Sequence, residues 1–134
     1  ALFKKQPNPD QIVVKGKRIQ RSFGQWAFTF CMSFIASVIL RGRYFDINAQ
    51  PKIFSRRFFE CEFKDPPTDF SLDLYLLVRA KKSGAHVVTF PVVFLKRIYG
   101  QSAWAFSFRS KWKTILRTIR YIFKLRRAIA REHS

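Results

Sequence analysis

The chain has 134 residues, the length of one domain, and its 26 lysines and arginines outnumber 8 acidic residues, which leaves a formal net charge of +18. Because 48% of the residues are hydrophobic, the chain can bury a core, which excludes a disordered basic tail. Its two cysteines and two histidines exclude a disulfide scaffold and argue against a histidine-based metalloenzyme. The charge predicts an anionic partner: nucleic acid, a membrane face or a phosphorylated substrate.

The first part of the chain predicts one strand and one uncharged helix. Residues 11–14 form a β-branched run typical of a buried strand, and basic residues follow it directly. Residues 22–40 contain no charged residue and predict a helix, which we interpret as a core or interfacial helix, with a membrane span as the alternative. One broad face of this helix is apolar and comprises Phe23, Trp26, Ala27, Phe30, Cys31, Phe34 and Val38.

The remaining elements alternate between strands and helices. A polar turn lies within the extended segment 44–54, and a short helix is predicted over 55–63. Thr68 or Asp69 is expected to cap the next helix, which ends at Gly84. Strands are predicted on both sides of Pro91, where the proline indicates a sheet edge or a strand break. The later predicted elements are strands 86–90 and 92–95, a turn at 100–102 and a helix over 109–131. This order of strands and helices favours an α/β layer architecture.

Asp73 lies on the apolar face of the helix that ends at Gly84. At about 100° per residue, Leu76 and Leu77 fall on the side of Asp73, whereas Tyr75 falls opposite. An inward-facing carboxylate is costly unless it is paired or lines a cleft. Two interpretations stay open: a first-turn acid that favours the helix dipole, or a site residue that faces a concavity lined by segment 46–52 and the Arg97 loop.

Two further segments place polar side chains at turns. Segment 46–52 has an acid, two amides and a lysine around a proline, and segment 96–102 has cations, an aromatic residue and a glycine after a predicted strand. Each segment is either part of a phosphate or ligand site or a solvated turn. The candidate binding residues in them are Asp46, Asn48, Gln50, Lys52, Arg97 and Ser102.

The last predicted helix combines an apolar stripe with a high density of cations. Nine lysines and arginines and no acid lie between Arg109 and Arg131. This pattern is typical of a helix on an anionic membrane surface, and charges recur too often for a span. An RNA-binding helix, a calmodulin-target helix and a helix that packs its stripe on the domain remain alternatives. The stripe comprises Trp112, Ile115, Leu116, Ile119, Ile122 and Phe123.

Read in order, four segments resemble the second half of the catalytic domain of family 2 glycosyltransferases. The resemblance is closest to the group that transfers sugars to polyprenyl phosphates such as dolichol phosphate. Its most specific part is the ordered set D-I-N-A-Q-P-K, S-L-D-L-Y-L-L and R-x-Y-G-x-S. The segments are IVVKGKRIQR (12–21), FDINAQPKIFSRRFF (45–59), PPTDFSLDLYLLVRAKKSGAHVVTFPVVF (66–94) and KRIYGQSAW (96–104).

The resemblance implies the acceptor-side half of an A-type glycosyltransferase fold over residues 1–105, followed by a basic amphipathic helix over 106–134. In the family, the first half of the domain binds the nucleotide-sugar and holds a divalent metal, Mg²⁺ or Mn²⁺, on an acidic pair. This chain has no counterpart of that half, so we expect a piece of a longer protein that holds no metal ligands and transfers no sugar alone.

The resemblance also implies roles for particular residues. Asp73 is the catalytic candidate, and the acceptor, expected to be a polyprenyl phosphate at the cytoplasmic face of a membrane, is anionic. The implied phosphate- or acceptor-binding residues are Arg18, Asp46, Asn48, Gln50, Lys52, Arg97 and Ser102.

Two functions of other classes remain as alternatives to sugar transfer. One is a basic nucleic-acid-binding module, and the other is a non-catalytic protein that interacts with a membrane surface. The aromatic residues concentrate in apolar helices rather than beside the cations of the strands, which argues against the nucleic-acid alternative.

Overall fold

The structure is a computed structural model that describes residues 9–19, 23–69, 71–93 and 108–132. Within them the fold is mixed α/β, with a three-stranded sheet and four α-helices. The described elements are a 3₁₀ turn at Pro9–Gln11, strands β1 (Ile12–Arg18), β2 (Lys52–Phe54) and β3 (His86–Val92), and helices α1 (Phe23–Ile39), α2 (Arg56–Glu62), α3 (Leu72–Lys82) and α4 (Phe108–Glu132).

The chain divides into two compact units. The sheet unit comprises Ala1–Arg21 and Asp46–Val93, and the helical unit comprises Ser22–Phe45 and Phe94–Ser134. The predicted boundary at residue 105 lies outside the described residues.

Strand β1 is the centre of the sheet. It pairs antiparallel with β2 and parallel with β3, and Ile12 and Val13 at its start are at most 1% exposed. The predicted strand over 11–14 is too short, because β1 continues through Lys15 and Gly16 to Arg18. Glycine is tolerated within the strand because another backbone approaches it, and the Gly16 N–H donates to the carbonyl of Pro51 at 2.8 Å.

Helix α2 forms where a short helix was predicted. The Ser55 hydroxyl caps its first turn by accepting a hydrogen bond from the Phe58 N–H at 3.0 Å. The Phe63 ring then packs edge-on against the Tyr75 ring, with centroids 5.5 Å apart. The Tyr75 hydroxyl also donates to the Lys64 carbonyl at 2.7 Å, so α3 fixes the chain that leaves α2.

Helix α3 ends at the predicted glycine but begins later than predicted. Gly84 has a φ of 72°, and the N–H of Ala85 donates to the Ala80 carbonyl at 2.8 Å, which completes a glycine-based C-cap. At the other end, the Asp69 carboxylate accepts from the Ser71 N–H at 2.9 Å, and the helix starts at Leu72. The side of α3 opposite Asp73 is also buried at Tyr75, which is only 5% exposed.

Strand β3 crosses the predicted break without interruption. It runs from His86 through Pro91 to Val92 and lies at an edge of the described sheet. At an edge the missing N–H of proline removes no ladder hydrogen bond. The part of the predicted strand beyond Val93 lies outside the described residues.

Helices α1 and α4 pack against each other within the helical unit, and α4 confirms the predicted last helix. The buried residues of α1 are Met32, Ser33 and Ala36. The sequence predicts a core or interfacial helix; the aromatic face does not belong to the core, because Phe30 is 51% and Phe34 is 60% exposed. The buried side of α1 therefore carries methionine, serine and alanine rather than the aromatic residues. No described helix is long and apolar enough to cross a membrane.

Candidate functional site

Asp73, in the first turn of α3, binds two side chains of segment 46–52. Its Oδ1 accepts a hydrogen bond from Lys52 Nζ at 2.6 Å and another from Gln50 Nε2 at 2.9 Å. The side chain of Lys52 is 4% exposed and that of Asp73 is 20% exposed. The predicted contact between Asp73 and segment 46–52 is therefore present, and the acid is paired as its place on the apolar face requires.

The backbone of segment 46–52 alternates between anchoring and exposed side chains. Asp46 has a φ of 48°, and its carbonyl accepts from the Ala49 N–H at 3.1 Å, which closes a tight turn. Ile47 and Ala49 are buried, whereas Asn48 and Gln50 are exposed. The Gln50–Pro51 peptide bond is cis. The apolar residues thus anchor the turn and leave the two amides at the surface.

Lys15 is a site residue that the sequence analysis missed. It is 6% exposed and lies directly opposite Lys52 in the β1–β2 register. Residues that are directly opposite in an antiparallel pair point to the same face of the sheet, and like charges there oppose each other. The sequence did contain a sign that Lys15 is buried. Lys15 follows Val13 by two residues in the strand, so the two side chains lie on the same face of the sheet.

Both lysines of this pair are electrostatically strained by their burial. Burial lowers the pKa of Lys15; the Asp46 carboxylate opposes that shift and the Lys52 ammonium adds to it. Burial also lowers the pKa of Lys52, while its hydrogen bond to Asp73 and the charges of Asp73 and Asp46 oppose the shift. The two carboxylates therefore counteract part of the effect that burial has on the two amines.

Arg18 lies near the same pair, since its charge helps to lower the pKa of Lys52. We call the five residues Lys15, Arg18, Asp46, Lys52 and Asp73 the lysine–aspartate cluster. It contains three cationic and two acidic side chains, so one positive charge is in excess. A phosphate oxygen bound there would gain charge-assisted hydrogen bonds and balance that excess.

The residues of the cluster do not fit the divalent metal that the resemblance implies for a whole enzyme. Among the described residues, no group of three or more histidine, cysteine, aspartate or glutamate side chains is placed to hold a metal ion. The Asp73 oxygen that faces the cluster is bound to an ammonium, and the Asp46 charge acts on two lysines. The arrangement suits an anion.

The structure brings most of the candidate residues into one region. Asp73, Gln50 and Lys52 are in direct contact, and Arg18 and Asp46 act on Lys52 through their charges. The other candidates are Asn48, which is exposed on the same turn, and Arg97 and Ser102, which lie outside the described residues.

Comparison of the chain with family models, with curated proteins and with solved structures finds no match.

Proposed function

We propose that the chain is the acceptor-side part of a membrane-associated glycosyltransferase that moves a sugar from a nucleotide-sugar to a polyprenyl phosphate. The observation that supports the proposal is the lysine–aspartate cluster, in which Lys52 and Asp73 from two segments of the resemblance are joined at 2.6 Å. An ion pair with only a structural role needs no further cations beside it, whereas here Lys15 faces Lys52 across the sheet and Arg18 lies nearby.

A phosphate acceptor suits the chemistry of this cluster. The acceptor oxygen is already anionic, so it attacks the sugar carbon without a base, and the bond from that carbon to the diphosphate breaks. Cations beside the acceptor hold it in place and stabilise the charge that shifts to the leaving diphosphate. In this proposal Asp73 positions the Lys52 ammonium; with a sugar-hydroxyl acceptor, Asp73 would instead be the general base.

Helix α4 supports the membrane part of the proposal. Trp112 is 60% and Leu116 is 49% exposed, while Ile122, which belongs to the predicted stripe, is fully buried. At about 100° per residue, Lys113 and Arg117 lie opposite Ile122, and the exposed part of the stripe lies between these two faces. Each cation near an anionic surface contributes about 1 kcal/mol, so we propose that α4 lies on such a surface at the cytoplasmic face of a membrane.

Binding of farnesyl phosphate, a short and soluble analogue of the acceptor, tests the proposed function. We expect isothermal titration calorimetry to show at least about tenfold tighter binding of farnesyl phosphate than of farnesol, since only the phosphate meets the cations of the cluster. Single-stranded RNA serves as the second probe. Equal affinities for farnesyl phosphate and farnesol would contradict the proposal, and RNA that binds more tightly than both would favour the nucleic-acid alternative.

A further inference from the structure

Helix α1 carries a continuous row of large apolar side chains on its exposed face. We call this row the aromatic ladder; it comprises Phe23, Trp26, Phe30, Phe34 and Val38, which are 81%, 52%, 51%, 60% and 59% exposed. Successive rings are stacked, with centroids 6.1, 5.4 and 6.5 Å apart from Phe23 to Phe34. The helix contains no charged residue.

A face of this size and composition requires a partner. Contiguous exposed apolar patches of several side chains mark protein or membrane interaction sites. The ladder cannot be the packing face of α1, because the buried residues of the helix, Met32, Ser33 and Ala36, lie on another side. Tryptophan concentrates at the boundary between lipid and water, and tryptophan, phenylalanine and leucine form the apolar face of helices that lie in this boundary.

The charges around the ladder select a lipid surface. Arg41 and Arg43, both exposed, follow α1 directly, and α4 in the same helical unit adds nine cations. A second copy of the chain would bring another net charge of +18 toward the same face. An anionic bilayer supplies both an apolar layer for the rings and negative charge for the cations.

We propose that the aromatic ladder of α1 inserts into the interfacial layer of an anionic bilayer and is the apolar anchor of the helical unit. The helix lies in the plane of the membrane, while the cations that follow α1 and those of α4 contact the headgroups. The inference rests on the membrane part of the proposed function and is independent of sugar transfer.

This anchor predicts two separable contributions to membrane binding. Insertion of the ladder depends on apolar area and is insensitive to salt. Attraction between the cations and the headgroups is screened by salt and requires anionic lipid. Substitutions in the ladder should therefore remove the part of the binding that persists at high salt.

Trp26 provides a direct reporter for insertion of the ladder. The chain has three tryptophans, so W104F and W112F together leave Trp26 as the only one. We expect its emission to shift to shorter wavelength on vesicles of phosphatidylcholine and phosphatidylglycerol, and brominated lipid to quench it. The paired substitution F30S/F34S in this background should weaken partitioning at least about tenfold, since the exposed parts of two phenylalanines, about half of each, no longer insert.

The matched control is I53S/V93S, which removes two apolar side chains of similar exposure, 49% and 53%, from the sheet unit. It should leave partitioning unchanged, and circular dichroism should show that both variants keep their helices. Vesicle binding with no quenching of Trp26 and no effect of F30S/F34S would overturn the inference and leave the membrane role of α4 intact. A parent that binds no vesicle would contradict both, and a dimer in solution that F30S/F34S dissociates would show that a second copy covers the ladder.

Discussion

Replacing Lys52 with methionine should lower the free energy of unfolding by about 2–3 kcal/mol. Methionine keeps the length and the apolar stem of the side chain, so the loss isolates the ammonium. In the parent, Asp73 Oδ1 accepts hydrogen bonds from the Lys52 ammonium and the Gln50 amide, and the Asp73 side chain is 20% exposed. In K52M, the Gln50 amide is the one of these two donors that remains. Urea denaturation followed by circular dichroism measures the change.

A second substitution identifies the stranded carboxylate as the cause. Asp73→Asn in the K52M background removes the unpaired negative charge, so the double variant should be more stable than K52M alone. If D73N destabilises K52M by as much as it destabilises the parent, the two side chains do not act on each other.

Lys15→Met is the matched control for K52M, because the two lysines are register partners and both are buried. The fold disfavours the charged form of Lys15, so its removal should leave stability unchanged or raise it by up to about 1 kcal/mol. In the folded parent the lowered pKa of Lys15 lies below the ordinary value of 10.5. At pH values between the lowered pKa and 10.5, the unfolded chain binds more protons than the folded chain. The stability of the parent therefore rises with pH in this range, and the stability advantage of K15M over the parent shrinks.

Replacing Gly16 with alanine should cost about 2–3 kcal/mol of stability. A Cβ at this position would meet the carbonyl oxygen of Gln50 and lie 2.8 Å from Cγ2 of Val92. The first neighbour is backbone, so the turn that holds segment 46–52 against β1 has to move. We expect the substitution also to disturb the lysine–aspartate cluster, because Lys52 follows this turn.

Gly24→Ala is the control for that substitution. Gly24 lies in α1 with no atom within 4 Å of a Cβ added there. Alanine at a helical position is favoured over glycine by about 0.5–1 kcal/mol, so G24A should stabilise the protein or leave its stability unchanged. If G16A and G24A unfold at the same urea concentration, segment 46–52 does not lie in close contact with β1 at Gly16.

Local chemistry made several elements predictable from the sequence. Gly84 ends α3 because a left-handed residue closes its last turn, and Ser55 starts α2 because its hydroxyl caps the second helix. That Asp73 would be paired or line a cleft followed from the high cost of an unpaired inward carboxylate. Each of these signals depends on a few neighbouring residues or on one dominant energy.

The features that the sequence analysis missed depend on which element packs against which. Lys15 and Gly16 read as a break after a short strand, but the strand continues because the carbonyl of Pro51, 35 positions away, accepts the Gly16 N–H. The aromatic face of α1 has the composition of a buried face, yet the buried residues of the helix are Met32, Ser33 and Ala36. Periodicity identifies the faces of a helix and does not identify the one that is covered.

The affinity of an Arg18→Gln variant for farnesyl phosphate tests the central claim most directly, which is that the lysine–aspartate cluster binds the phosphate of a lipid acceptor. Arg18 is half-buried near Lys52, and urea denaturation of the same variant shows whether the protein used for calorimetry is folded. The matched control is Arg117→Gln on α4, which removes an exposed arginine from the helical unit. The account predicts that R18Q weakens binding of farnesyl phosphate at least about tenfold, with binding of farnesol unchanged and R117Q like the parent. Equal affinities of R18Q and the parent for farnesyl phosphate would contradict it.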